Sequence, residues 1–132
     1  MIDVNYVALG VATVVAFVLS TAYYIAFGRQ YAELRGLSPE AAAARPPAWK
    51  VVLELVRSLL VASVVAGLAD LLEITDWAEA ATLAISLWVA FPVVLLVGSV
   101  IWDDVPPRLA VIHAGDWLLK LALIAVIVVS WQ

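Results

Sequence analysis

Four long apolar runs, joined by short polar links, leave this chain few ways to fold. They cover about residues 4–27, 50–72, 77–102 and 107–131. A bilayer core about 30 Å thick is crossed by about 20 apolar helical residues, and each run meets that length. In lipid the backbone must satisfy its own hydrogen bonds, so each run is predicted as a helix, including the β-branched stretch 124–129. The composition excludes the soluble alternative. Of 132 residues, 66% are apolar and 14% charged, against about 45–50% and 25% in a soluble domain. The expected fold is therefore all-α: an integral membrane four-helix bundle, occupying 1–132 as a single domain.

Charge and residue usage remove other classes. Seven basic and eleven acidic side chains give a net charge of −4, which offers nucleic acid no basic patch. With no cysteine and one histidine, thiolate and histidine-rich metal sites are excluded. No metal and no cofactor is expected. The first run lacks a preceding Lys or Arg and exceeds the about 7–15 apolar residues of a signal peptide, so it is read as a retained span.

Local punctuation agrees with these limits. Ser38, Pro39 and Glu40 read as the N-cap and first turn of a short amphipathic, alanine-rich helix in the first loop, which Arg45-Pro46-Pro47 ends. Asp76 and Glu79 resemble a capping box at the start of span three. Pro92 is predicted to kink that span. The first loop carries Arg29, Arg35, Arg45 and Lys50, the third carries Arg108, and the second carries only acids. Basic residues favour the cytoplasmic side, so both termini are expected outside, in an inner (plasma) membrane. Trp49 and Trp102 then fall at the cytoplasmic ends, Trp77 and Trp131 at the outer ends, as interfacial belts require.

Chemistry concentrates in spans two and four. Lys120 lies about 16 Å beyond Leu109, near the bilayer centre, with Asp116 about 6 Å shallower and His113 about 4 Å shallower again. All three share one helical face. Asp116 and Lys120 are an acid-then-base i,i+4 pair. A central lysine costs at least about 2.5–3.5 kcal/mol in lipid, so this face should look inward. In span two, Glu54 and Arg57 reach a similar depth. The expected site is an intramembrane network of Glu54, Arg57, Asp116 and Lys120, with Arg57 pairing Asp116. His113 is its candidate proton or ligand group. A self-neutral set can equally be structural glue between helices. Trp88 and Trp117 are expected at mid-membrane as pocket walls or cation–π partners of a buried cation, with plain packing as the alternative. Small residues recur every fourth position: Ala8, Ala12, Ala16 and Ser20; Ser58, Ala62 and Ala66; Ala78, Thr82, Ser86 and Ala90. Such stripes let helices approach closely. Asn5, Thr13, Ser20 and Tyr24 add a polar face to span one. No phosphate loop, nucleophile elbow or paired-histidine motif is present, so no catalytic residue is assigned.

Ala22-Tyr23-Tyr24, Phe27-Gly28 and Leu34-Arg35-Gly36-Leu37, then Trp88 with Phe91, and Ile112-His113-Ala114-Gly115 with Trp131, run through most of the chain. In these segments the sequence resembles the short bacterial membrane proteins of the domain of unknown function 1761 family. The resemblance implies four membrane helices and no established activity. In that family an aromatic commonly follows the glycine of span four. Asp116 stands there in this chain, and Lys120 is also unusual, which implies a charge pair special to this protein or a narrow subgroup.

Three functions fit the sequence. The leading one is a small transporter or channel-like protein, or a subunit of one, that works through the charge network as a homo-oligomer or with a partner membrane subunit. The second is an accessory or assembly subunit of a larger membrane complex. The third is a lipid-modifying enzyme, which would need a pocket between spans three and four open to the bilayer.

Overall fold

The structure, a computed structural model, describes residues 4–131. Helix α1 spans Tyr6–Ala26 and opens at Asn5, whose side-chain oxygen accepts from the N–H groups of Val7 and Ala8 at 3.0 and 3.1 Å. The Asn5 amide nitrogen donates to the Trp131 carbonyl at 2.8 Å, joining the two chain ends. A break at Phe27 leads into α2, Gly28–Arg35, which Gly36 ends in the left-handed conformation (φ 66°) that glycine adopts without a Cβ clash. Helix α3, Pro39–Ala43, starts as expected: the Ser38 hydroxyl accepts from Ala41 N–H at 3.2 Å and proline fills the first turn. It is exposed throughout, and the amphipathic character of loop one falls on α2, where Tyr31, Ala32 and Leu34 are half-buried.

Helix α4 is Ala48–Leu71. Helix α5, Trp77–Trp88, begins at Asp76, whose carboxylate accepts from Glu79 N–H at 2.9 Å, while the Glu79 carboxylate accepts from Thr75 N–H at 3.3 Å. The reciprocal cap forms with its return bond one residue early. Pro92 has no N–H to give, and the helix widens into a π-turn over Val89–Val93 before continuing as α6, Val94–Trp102. Helix α7, Pro107–Ser130, follows with proline in its first turn. Tyr6–Ala26, Ala48–Leu71, Trp77–Trp102 and Pro107–Ser130 are each long and apolar enough to cross a membrane. The described residues contain no strand. This is a multi-pass helical membrane protein.

Helix α7 is the hub. It packs against α1, α4 and the α5–α6 span, while α1 and α4 also pack on each other. Two of the three small-residue stripes make these seams. Ala8, Ala12 and Ala16 are buried on α1, and Ser58, Ala62 and Ala66 on α4. Lipid tails are as apolar as leucine, so helices associate through close dispersion contact, which alanine permits. Ile124, Ala125 and Val128 of α7 complete this core.

The third stripe does not behave as expected. Ala78, Thr82, Ser86 and Ala90 are exposed, and α5 instead buries Ala80 and Ala84. Thr82 and Ser86 turn their hydroxyls back to carbonyls four residues earlier, at 2.9 and 2.7 Å. Such self-satisfaction lets them face outward at little cost. Thr13 of α1 does the same, donating to Leu9 at 2.8 Å rather than to a neighbouring helix.

Candidate functional site

Burial on α1 ends at Ala16 and on α4 begins at Ser58, both near the middle of their helices. In the loop-one half a cavity of about 860 Å³ opens between α1, α4 and α7, with Tyr31, Ala42 and Pro46 of the first loop at its mouth. Its lining includes Glu54 and Arg57 of α4 and His113, Asp116, Trp117 and Lys120 of α7. Among the described residues, none of span three lines this cavity.

The floor is an ion pair. Lys120 Nζ lies 3.0 Å from Asp116 Oδ2, and the Ser20 hydroxyl donates to Asp116 Oδ1 at 2.8 Å. Both charged residues are buried, Asp116 at 3% and Lys120 at 7% exposure. The ammonium also sits 4.5 Å from the centroid of the Trp117 ring, a cation–π arrangement strengthened by desolvation. A buried charge must be paired. Here a helix-register partner, a hydroxyl from α1 and an indole face supply the pairing.

Nearer the mouth, Arg57 pairs with Glu54 one helical turn away. The expected Arg57–Asp116 pair across the helices is not made. Each cation takes the carboxylate already at i,i+3 or i,i+4 on its own helix, where no second helix has to be positioned. Both pairs line one cavity, but as two intrahelical couples.

His113 sits between aromatics. Its Nδ1 is 2.5 Å from the Tyr24 hydroxyl, and the Tyr24 and Tyr31 rings lie 5.7 and 5.8 Å from the imidazole. Arg35 donates to the Tyr31 hydroxyl at 3.2 Å. Residues Ser20 and Tyr24, four apart on α1, therefore meet Asp116 and His113, three apart on α7. Among the described residues no buried side-chain nitrogen or oxygen lacks a partner.

The two mid-membrane tryptophans separate. Trp117 lines the cavity. Trp88 does not: it packs against the core, and its indole N–H donates to the Ala114 carbonyl at 2.8 Å. The polar partner that a buried indole needs is thus α7 backbone. Trp88→Phe is expected to cost at least about 1 kcal/mol, the net worth of one hydrogen bond, read as a lowered midpoint of thermal unfolding.

Residues 7–129 match the model of a family described as a protein of unknown function, DUF1761, and the chain belongs to that family. No curated protein and no solved structure matches it.

Proposed function

We propose that this protein is a small solute carrier, or the solute-binding subunit of one, in a cell's inner membrane with loop one in the cytoplasm. The observation that carries the reading is the one-sided cavity. Its floor is a buried Asp116–Lys120 pair, and beyond that floor the bundle is close-packed around Ala12, Ala62, Val65 and Ala69. A channel needs a continuous path, whereas a carrier needs a site closed on one side at a time. The basic residues of loop one support its cytoplasmic placement. Intramembrane ionisable side chains that face a cavity mark substrate or proton pathways.

The accessory-subunit reading draws support from the exposed Ala78, Thr82, Ser86 and Ala90 face of span three, a surface another helix could cover. The two readings part on motion. The chain contains no cysteine, so a single Val65→Cys variant gives a clean labelling site, 1% exposed in this state. In a carrier, a membrane-impermeant thiol reagent applied on the side opposite loop one labels it during turnover. Full protection under all conditions, beside an exposed control such as Leu72→Cys that labels readily, would falsify alternating access.

A further inference from the structure

We propose that the cavity takes an organic carboxylate carrying a single negative charge on an apolar body; this rests on the carrier reading above and names its substrate class. Three cations line the cavity, Lys50, Arg57 and Lys120, against two carboxylates, Glu54 and Asp116. With the lining tyrosines and His113 neutral, one positive charge is in surplus. A solute entering a pocket between membrane helices binds best when it cancels the charge already there. One negative charge does so. A phosphate monoester carries about −1.5 to −2 near neutral pH and would overshoot.

Hydrogen-bonding capacity points the same way. Both Asp116 oxygens are engaged, one by Ser20 and one by Lys120, so the floor has little acceptor capacity for a bound cation. Donors are in excess. Arg57 gives one of its five N–H groups to Glu54. The Lys50 ammonium rests 5.6 Å from the centroid of the Trp49 ring, with no carboxylate of the described residues in ion-pair range. A planar carboxylate suits the guanidinium's fork geometry. Around these donors Phe17, Leu53 and Trp117 supply apolar wall, which accounts for the apolar body.

The carboxylate can arrive from water, as an aromatic acid, or from the bilayer, as a fatty acid. Purified protein in nanodiscs is titrated with benzoate, its neutral isostere benzamide, the cation benzylamine, and decanoate, with tryptophan fluorescence as the readout. Saturable binding of benzoate or decanoate, with neither benzamide nor benzylamine competing, is the expected result. Preference for benzoate names the aqueous source and preference for decanoate the membrane source. Arg57→Gln should weaken binding by about tenfold, and Glu54→Gln should tighten it by about threefold. Both side chains are about half exposed, so neither variant strands a buried charge. Binding of benzylamine or benzamide in preference, binding of none of the four, or shifts of the same sign in the two variants overturns the carboxylate assignment. Binding of benzoate without uptake into proteoliposomes overturns the carrier reading and leaves the carboxylate assignment standing.

Discussion

Lys120→Met is expected to lower stability by about 3–5 kcal/mol, the cost of breaking a buried ion pair from one side, and, under the proposed carrier function, to abolish flux. Asp116 is 3% exposed and its carboxylate has two partners, Ser20 and Lys120. Removing the ammonium leaves a buried negative charge held by one hydroxyl. Its burial against Asp116 ties the lysine to folding as well as to the site. Adding Asp116→Asn separates stability from function. The double variant contains no buried charge at this level, the asparagine oxygen still accepts from Ser20, and the methionine packs against Trp117. Replacing a buried pair with neutral groups is often neutral or even stabilising, so the unfolding midpoint should return close to that of the original protein. Flux should not return, because the ammonium at the cavity floor is still gone. A double variant as unstable as the single one would show that the lost stability has another origin.

How far the sequence anticipates this arrangement depends on which coordinate is asked for. Depth along the membrane normal follows from a rise of about 1.5 Å per residue, so spans and ends were readable: residues 77–102 form one span, and Asp116 and Lys120 lie inside the bundle. Rotation about each helix axis is partly readable. The stripes through Ala12 and Ala62 find partners because α1, α4 and α7 converge there. The stripe through Thr82 has the same spacing yet faces outward, because α5 has one main neighbour, α7, and Ala80 and Ala84 suffice to meet it. Spacing defines a face but not what covers it. The pairing of Arg57 failed for a related reason. Equal depth with Asp116 says nothing of lateral distance, while Glu54 one turn away is always within reach. The Tyr24–His113 contact was missed, although its signal is present: polar residues four apart on α1 and three apart on α7 can meet as two rungs. The close approach of Tyr23 to α7 has no polar pattern of its own and shows in the sequence only as one glycine.

That glycine, Gly115, carries the second large expected effect. The Tyr23 hydroxyl donates to the Ile112 carbonyl at 2.7 Å, and to reach it the ring lies across the α7 backbone at Gly115. A Cβ there would overlap the Tyr23 hydroxyl oxygen and come within 3.3 Å of the ring carbon bearing it. Tyrosine is rigid beyond its two side-chain torsions, so the overlap is relieved only by moving the ring or parting the helices. Gly115→Ala is therefore expected to destabilise by about 1–3 kcal/mol, the usual cost of overpacking, despite the gain of up to about 1 kcal/mol that alanine brings to a helix interior. Gly10→Ala is the control, since no atom stands within 4 Å of a Cβ built there, and it should be neutral or mildly stabilising. In a Tyr23→Phe background the worst overlap disappears with the hydroxyl, so the cost of Gly115→Ala should fall by at least about half, a coupling typical of residues in contact. Additive losses across that cycle would disprove the steric origin. Displacing α1 here also disturbs the site, because Tyr24 is the next residue and Ser20 lies one turn away. The single Gly115→Ala variant should accordingly weaken benzoate binding, and adding Tyr23→Phe should recover part of it.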